Sequence, residues 1–171
     1  AVTNRGYRLT NPETMYNTRE LEQGLKTKTI VQSIYFYEET DTTNTRAREL
    51  ALEGAPEGTL VVAEKQTDGR GRRGKVWESP LGTGIWMSLV LRPQIMPAEA
   101  SVLTLLCGLA TAEAIEAETG LSVGIKWPND ILINGKKAVG ILTEMDCEMS
   151  EVHFVIPGIG INVITASFPP E

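Results

Sequence analysis

Histidine is almost missing from the sequence, which contains one residue of this type, His153. A Ser-His-Asp triad, a Cys-His pair and a zinc site with several histidines would each have to use it. His153 stands between Val152 and Phe154 in a predicted strand, so we expect it to be structural or to face solvent. Catalysis would therefore rest on lysine, arginine, asparagine, aspartate and backbone groups, which stabilise anions and position substrates.

Cysteine is also scarce, since only Cys107 and Cys147 occur and they lie far apart in the chain. This excludes a disulfide framework and fits a reducing, cytoplasmic location. We find no signal peptide and expect no apolar run long enough to cross a membrane. The apolar stretch 103–117 is interrupted by Glu113 and Glu116, so we interpret it as a core helix.

An excess of basic charge is missing as well. The formal net charge is -6 over 171 residues, which suits a single acidic domain. Such a chain does not bind nucleic acid through a general basic surface. Any contact with DNA would need a separate module.

Against this acidic background stands the segment Gly69–Lys75, which holds three glycines and four cations in seven residues. Gly69, Gly71 and Gly74 match the dinucleotide-binding pattern G-x-G-x-x-G, but no helix is predicted after them and the acidic residue expected about 20 positions later is missing. Neighbouring cations repel each other unless an anion lies among them. The segment therefore predicts a mobile loop that closes over a phosphate or carboxylate, and the alternative is a solvated basic turn.

Four further polar clusters accompany this loop. Residues 41–44 precede a predicted helix and supply either an ordinary N-cap or, in addition, ligand contacts. Residues 126–130, Lys-Trp-Pro-Asn-Asp, interrupt a strand and form either a ligand site or a self-capped turn. Residues 135–137 place lysines beside a glycine-containing strand, where one lysine alone would be an ordinary edge charge. In residues 157–162, two glycines allow a close approach of the backbone, and an asparagine follows.

The predicted elements do not alternate regularly between strand and helix, which argues against a doubly wound parallel sheet. We expect an α+β fold in which helices flank a mixed, largely antiparallel sheet. Asn134-Gly135 is the strongest hairpin signal, and Val102, Leu105, Leu106 and Leu109 are expected to point the long helix toward the core. The predicted helices cover 18–25, 45–53 and 97–120, and the predicted strands cover 30–37, 60–64, 85–91, 123–127, 131–133, 138–145 and 152–156.

The clusters together resemble the motifs of bacterial biotin protein ligases. Gly-Arg-Gly-Arg-Arg-Gly, Lys-Trp-Pro-Asn-Asp and Gly-Ile-Gly-Ile-Asn occur in the family's order and spacing, Gln66 matches a glutamine before the loop, and Asp-Thr-Thr-Asn resembles Ser-Thr-Asn with Thr42 in place of serine. The resemblance covers about 30–163. It implies the catalytic fold shared with class II aminoacyl-tRNA synthetases over 29–171, without the family's C-terminal β-barrel. Residues 1–28 resemble the end of a winged-helix module plus a linker, as in the bifunctional repressor members.

The resemblance implies a two-step reaction, in which biotin and MgATP give biotinyl-5'-adenylate and the acyl group then passes to a lysine of a biotin carboxyl carrier protein. The resemblance implies that the protein itself has no metal site and that DNA is contacted only through the N-terminal module. It also allows a homodimer. Carried over residue by residue, it assigns catalysis to Arg72, Lys137, Lys126 and Asp130, with Asp130 orienting a lysine or a metal. It assigns biotin binding to Thr42, Thr43, Asn44, Gln66, Gly69, Arg70, Arg72, Lys137, Gly158 and Gly160. Adenylate or ATP binding falls to Arg70, Arg72, Arg73, Trp77, Asn129 and Asn162.

Two other functions stay open at this point. A lipoate ligase-like enzyme would share the fold and the acyl-adenylating chemistry, although the arginine loop and Lys-Trp-Pro-Asn-Asp favour biotin. A biotin-responsive transcription regulator would use the ligase domain as its sensor.

Overall fold

A computed structural model describes residues 18–27 and 30–164. Most of the segment 1–28, which resembles the end of a winged-helix module plus a linker, lies outside these residues. The helices are α1 (Thr18–Gly24), α2 (Thr43–Leu52) and α3 (Ala100–Thr119). The strands are β1 (Ile34–Tyr37), β2 (Leu60–Ala63), β3 (Gly84–Leu89), β4 (Val123–Lys126), β5 (Asp130–Ile133), β6 (Lys136–Glu148) and β7 (Glu151–Asn162).

The strands of the described residues form a seven-stranded sheet in the order β1-β2-β3-β7-β6-β5-β4. β1 and β2 run parallel, and the other neighbouring pairs are antiparallel. This confirms the predicted mixed, largely antiparallel sheet with helices packed on it. The hairpin at Asn134-Gly135 is also confirmed, since both residues have positive φ (52° and 76°) and join β5 to β6.

Two apolar clusters attach the helices to the sheet. Ala47 and Ala51 of α2 pack with Val61, Phe154 and Ile156, while Ala112 of α3 packs with strand residues of β5, β6 and β7. Alanine at these contacts lets each helix backbone approach the sheet closely. The candidate site lies where the start of α2 meets the centre of the sheet.

The expected core face of the long helix is wrong. Val102, Leu106 and Leu109 are about half exposed (51%, 53% and 47%) and Leu105 is half-buried. The buried positions of α3 are instead small, namely Ala100, Gly108, Thr111 and Ala112. Apolar residues recur along the helix at the predicted spacing. Its most buried positions are nevertheless small, because small residues let the helix backbone lie close to the sheet.

The same helix also corrects the expectation about apolar length. With its preceding turn it spans Pro97–Thr119, 23 residues that include an 18-residue window with a mean hydropathy of 1.4, which is enough by length and composition to cross a membrane. One such helix is weak support for a membrane span. Here it packs against β4, β6 and β7 as the second layer of the folded unit.

Strand and helix ends differ from expectation at two places that matter for the site. β7 continues from the predicted 152–156 through Pro157 to Asn162, because it pairs with β3 on one side and β6 on the other. α2 begins at Thr43 and not at 45, because the Thr42 hydroxyl accepts a hydrogen bond from Thr45 N at 2.9 Å and caps the helix.

His153 is exposed, as expected, and its Nδ1 lies 3.0 Å from Asp146 Oδ2. Arg48 Nη2 contacts the other oxygen of that carboxylate at 2.8 Å. The hydrogen bond with Asp146 raises the pKa of His153 above its ordinary value of 6.5. The two cysteines are free, in agreement with the absence of a disulfide framework.

A raised pKa in the folded state makes stability depend on pH in a defined direction. We expect wild type to be more stable than His153→Gln below pH 6.5, and the difference to vanish as pH rises through the raised pKa of the folded protein. Thermal unfolding of both proteins from about pH 5 to pH 9 measures this. A difference that stays constant over that range would contradict the ion pair.

Candidate functional site

The start of α2 forms the polar end of the site. Thr43 N donates to Gln66 Oε1 at 2.8 Å, and the Thr43 hydroxyl lies 3.3 Å from the same oxygen. Gln66 Nε2 in turn donates to Ser79 Oγ at 2.8 Å. The helix start and the segment that leads into the glycine-arginine loop are therefore fixed to each other by one side-chain amide.

The side chain of Asn44 is fixed by residues that were not predicted to belong to the site. Its Oδ1 accepts from Ser88 Oγ at 2.7 Å, and its Nδ2 donates to Glu144 Oε2 at 2.7 Å and to Leu142 O at 3.3 Å. Ser88 is a polar residue at a core-facing position between the buried Trp86 and Val90, and this pattern marks the residue as unusual but does not identify its partner. Glu144 is exposed on β6, a strand with several other charged side chains, and carries no such signal.

The glycine-arginine loop folds as a small hairpin. Gly71 N donates to Lys75 O at 2.7 Å and Trp77 N donates to Gly69 O at 2.8 Å. A Cβ at Gly69 would lie 2.1 Å from Trp77 O, so the glycine is needed for this close approach. No helix follows in residues 75–84, and β3 begins directly at Gly84, which confirms that the loop is not a dinucleotide-binding fingerprint.

One of the four loop cations pairs with an acidic residue of the chain itself, contrary to the expectation of a cation cluster without an anion. Arg70 forms an exposed ion pair with Asp68, with Nη2 and Oδ2 2.7 Å apart, and this hydrogen bond raises the pKa of the guanidinium. Arg72 Nη1 donates to Asn129 Oδ1 at 2.8 Å, which connects the loop to the Lys-Trp-Pro-Asn-Asp segment. Arg73, at φ 58°, forms the exposed turn.

Lys137 lies at the opposite, cationic end of the site. Its Nζ is 2.8 Å from Asp130 Oδ1 and 5.2 Å from the centroid of the Trp77 ring. The side chain of Asp130 is 18% exposed and that of Lys137 43%, so the carboxylate is the more fixed partner. This contact is compatible with the expected role of Asp130 in orienting a lysine, which stays a prediction. Lys126 is exposed on β4, opposite Asp130 in the strand register.

Glycines on the two central strands make room for protein side chains. A Cβ at Gly160 would lie 2.4 Å from Trp77 Nε1 and one at Gly140 would lie 2.7 Å from the same ring, so the indole rests on both backbones. A Cβ at Gly158 would lie 2.0 Å from Asn44 Oδ1. Gly140 is opposite Gly160 in the register of β6 and β7, and it is the glycine of the strand beside which the sequence places Lys136 and Lys137, although it was not among the predicted site residues.

These groups surround one cavity, which Ile141, Leu142 and Ile159 line between its polar and cationic ends. The predicted site residues Gly69, Arg73, Lys126, Asp130 and Asn162 do not line it, and Asn162 ends β7 opposite Gly84. The accessible volume is about 60 Å³, below the 300–1,000 Å³ typical of ligand pockets. The predicted residues that do line it are Thr42, Thr43, Asn44, Gln66, Arg70, Arg72, Trp77, Asn129, Lys137, Gly158 and Gly160.

The model of the biotin/lipoate A/B protein ligase family matches residues 36–162. The chain belongs to this family. It is 52% identical over 173 residues to the bifunctional ligase/repressor BirA of Bacillus spizizenii. This alignment covers 100% of this chain and 53% of that protein. The chain spans about half the length of the Bacillus relatives that it matches.

Solved structures of biotin protein ligases have the same fold. The Aquifex aeolicus enzyme in complex with biotin and ATP aligns with a TM-score of 0.65 and 36% identity, over 81% of this chain and 55% of that one. The Leishmania major enzyme in complex with biotinyl-5-AMP aligns with a TM-score of 0.67 and 33% identity, over 82% and 60%. The predicted biotin ligase fold is thus confirmed.

Proposed function

We propose that this domain activates biotin with ATP to biotinyl-5'-adenylate and transfers the biotinyl group to a lysine of a biotin carboxyl carrier protein in the cytoplasm. The observation that carries the proposal is the cavity with two unlike ends. One end is a hydrogen-bonding network around Thr43 and Asn44 that includes the Glu144 carboxylate, and the other carries Arg72 and Lys137, while Arg70 lines the cavity from the loop. The relatives named above as biotin ligases support it.

The hydrogen-bonding end fits the head group of biotin and not that of lipoate. Biotin has a polar ureido ring, an apolar sulfur-containing ring and a valerate carboxylate. The hydroxyls and amides at Thr42, Thr43 and Asn44 can exchange hydrogen bonds with a ureido group, while Ile141 and Ile159 contact the apolar part. The dithiolane of lipoate has no such polar group, and buried donors and acceptors left unpaired oppose its binding.

The cationic end fits the first chemical step. A biotin carboxylate oxygen attacks the α-phosphorus of ATP, the new P–O bond forms, and pyrophosphate leaves with the electrons of the broken P–O bond. The attack brings two anions together, so cations placed beforehand at that point lower the barrier. Lys137 and Arg72 line this part of the cavity, and ATP enters as its magnesium complex, which is a substrate.

Asp130 acts as a positioning residue for this step. It lies outside the cavity and holds Lys137 Nζ at 2.8 Å. An ion pair of this kind restricts the rotamers of the flexible lysine stem. Asn129 has a similar role toward Arg72, because its own amide is bound to Ile141 O at 3.1 Å.

Trp77 must move before both substrates can bind, because its indole occupies the space above Gly140 and Gly160. Its buried Nε1–H has no hydrogen-bond acceptor among the described residues. Burying an unpaired donor costs about 1–3 kcal/mol, so the position is one that the side chain can leave at little cost. The hairpin of Gly69–Lys75 ends next to Trp77, and its opening as a lid stays a prediction.

The proposed reaction is tested by exchange of labelled pyrophosphate into ATP. We expect exchange with biotin, and at least about 100-fold less with lipoate because the polar end stays unpaired. Titration calorimetry with biotin, with and without ATP, checks binding separately. Exchange with lipoate but not with biotin would favour the second candidate, a lipoate ligase-like enzyme, whose support is the family's shared biotin/lipoate description.

Transcriptional repression is a separate proposal, carried by the relatives named as bifunctional ligase/repressor proteins. The net charge of -6 argues against DNA binding through the domain itself. Repression would require an additional DNA-binding module, with this domain as the biotin sensor.

A further inference from the structure

Ser88 lies behind the polar end of the cavity and does not line it. The residue belongs to β3 and is fully buried, with 0% of its surface exposed. Its Oγ lies 2.7 Å from Thr43 Oγ1 and 2.7 Å from Asn44 Oδ1. Both partners belong to the first turn of α2, and both line the cavity. One buried hydroxyl therefore connects two residues that we assign to the head group of biotin.

The contacts of Asn44 fix the direction in which its amide points. Its Nδ2 lies 2.7 Å from Glu144 Oε2 and 3.3 Å from Leu142 O. An ionised carboxylate and a backbone carbonyl only accept hydrogen bonds, so the NH2 group has to face them. The amide oxygen then faces Ser88, and this oxygen also can only accept. The single hydrogen of the Ser88 hydroxyl is therefore donated to Asn44 Oδ1.

The orientation of Asn44 determines the direction of the next hydrogen bond. Because the Ser88 hydrogen is already used, the 2.7 Å contact between Ser88 Oγ and Thr43 Oγ1 contains a hydrogen only if the Thr43 hydroxyl donates it. The other acceptor within reach, Gln66 Oε1, is farther away at 3.3 Å. Donation to Gln66 would also leave the lone pairs of two hydroxyl oxygens facing each other. The Thr43 oxygen therefore presents only lone pairs to a ligand.

Gln66 presents a second acceptor at the same end of the cavity. Thr43 N, which can only donate, lies 2.8 Å from Gln66 Oε1, and Gln66 Nε2 donates to Ser79 Oγ. The Gln66 amide is therefore fixed as well, with its oxygen beside the Thr43 hydroxyl. Two neighbouring acceptors favour a ligand that brings N–H groups, because buried oxygens that face each other without a hydrogen lose the hydrogen bonds they make in water.

We propose that Ser88 is a specificity-determining residue that acts through Thr43; this rests on the proposed function. By accepting the Thr43 hydrogen, the Ser88 hydroxyl converts a side chain that could donate or accept into one that only accepts. The site then selects the N–H groups of a cyclic urea over ring oxygens at the same places. Because Ser88 does not line the cavity, it is a positioning residue.

The test compares biotin with an analogue in which oxygen replaces both ureido N–H groups, which gives a cyclic carbonate of nearly the same shape. Titration calorimetry measures the affinity of biotin directly and that of the analogue by competition with biotin. Wild type should prefer biotin by at least about 100-fold, since a site built to accept from an N–H group rejects a ligand that lacks it. In Ser88→Ala the Thr43 hydroxyl is free to donate to a ring oxygen, so this preference should fall at least about tenfold.

Two further variants accompany Ser88→Ala. Ser88→Cys keeps a side chain of similar size with a weaker donor, so it should lower the preference by a smaller factor. Thr111→Val is the matched control, because it removes a buried hydroxyl that donates to Cys107 O at 2.7 Å and does not line the cavity. Thr111→Val should bind both ligands as wild type does.

Thermal unfolding establishes that each variant is folded before its affinities are compared. Equal weakening of both ligands in the Ser88 variants, with the preference for biotin unchanged, is the result of a purely structural role and would overturn the proposal. A wild type that binds the carbonate as tightly as biotin, or an equal loss of preference in Thr111→Val, would overturn it as well. Absence of biotin binding to wild type would instead refute the proposed function.

Discussion

Lys137→Ala should lower biotin-dependent pyrophosphate exchange by about 100- to 1,000-fold, the loss typical when one preorganised group that stabilises developing charge is removed. The ammonium is held 2.8 Å from Asp130 and lies at the cationic end of the cavity. Lys137→Met retains most of the aliphatic stem against Trp77 and should lose a similar factor, which separates loss of charge from loss of packing. Initial exchange rates at saturating biotin and ATP provide the measurement.

Lys136→Ala is the matched control for this prediction. Lys136 is the preceding residue of β6, is exposed, and does not line the cavity. Removing it changes the net charge equally, so a similar loss of exchange in both variants would indicate a general electrostatic effect and contradict a specific role of Lys137. Asp130→Asn should fall between wild type and Lys137→Ala, since it leaves the lysine in place but no longer fixed.

Gly158→Ala should weaken biotin binding by about 100-fold, which corresponds to about 2.7 kcal/mol. The added methyl would lie 2.0 Å from Asn44 Oδ1, so the asparagine has to leave its place. Asn44 is buried and bonded to Ser88, Leu142 and Glu144, and unpaired buried polar groups cost about 1–3 kcal/mol. Titration calorimetry with biotin measures the change in affinity.

The control for this variant is Gly124→Ala, also in the sheet but with no atom closer than 3.9 Å to the added Cβ. It should bind biotin as wild type does. Thermal unfolding of both variants separates an effect on the site from an effect on the fold. If Gly158→Ala binds biotin normally, Asn44 does not form the polar end of the binding site.

The sequence predicted most of the sheet because its strands carry local signals. β2 is a short apolar run, Asn134-Gly135 selects a tight turn, and Pro97 and Gly120 bracket the long helix. The full length of β7 could not be predicted in this way. A proline and two glycines in residues 157–160 oppose a strand locally, and only pairing on both sides by β3 and β6 overcomes that preference.

The charged and loop residues of the site could be predicted from the sequence. The residues that hold them in place could not. Arg72, Asn129 and Lys137 stand in polar segments that a core would not need, so they were visible in the chain. Ser88 and Glu144 act through contacts across more than 40 positions, and no local pattern reports such pairs. Asp68 directly precedes the glycine-arginine segment, so it falls outside the pattern of glycines and cations although its carboxylate pairs with Arg70.

The position of β7 has a consequence for how the protein acquires its binding site. β7 comes last of the strands in the described chain, yet it lies in the centre of the sheet between β3 and β6. β7 forms a local hairpin with β6, so only its pairing with β3 joins segments that are distant in sequence, and contacts of that kind form slowly because the intervening chain must be ordered first. During synthesis, the cavity cannot exist until Gly158 and Gly160 have left the ribosome and β7 has paired with β3. A ligand of the cavity can therefore bind only after this pairing, and its binding energy acts on the closed sheet and not on any earlier intermediate.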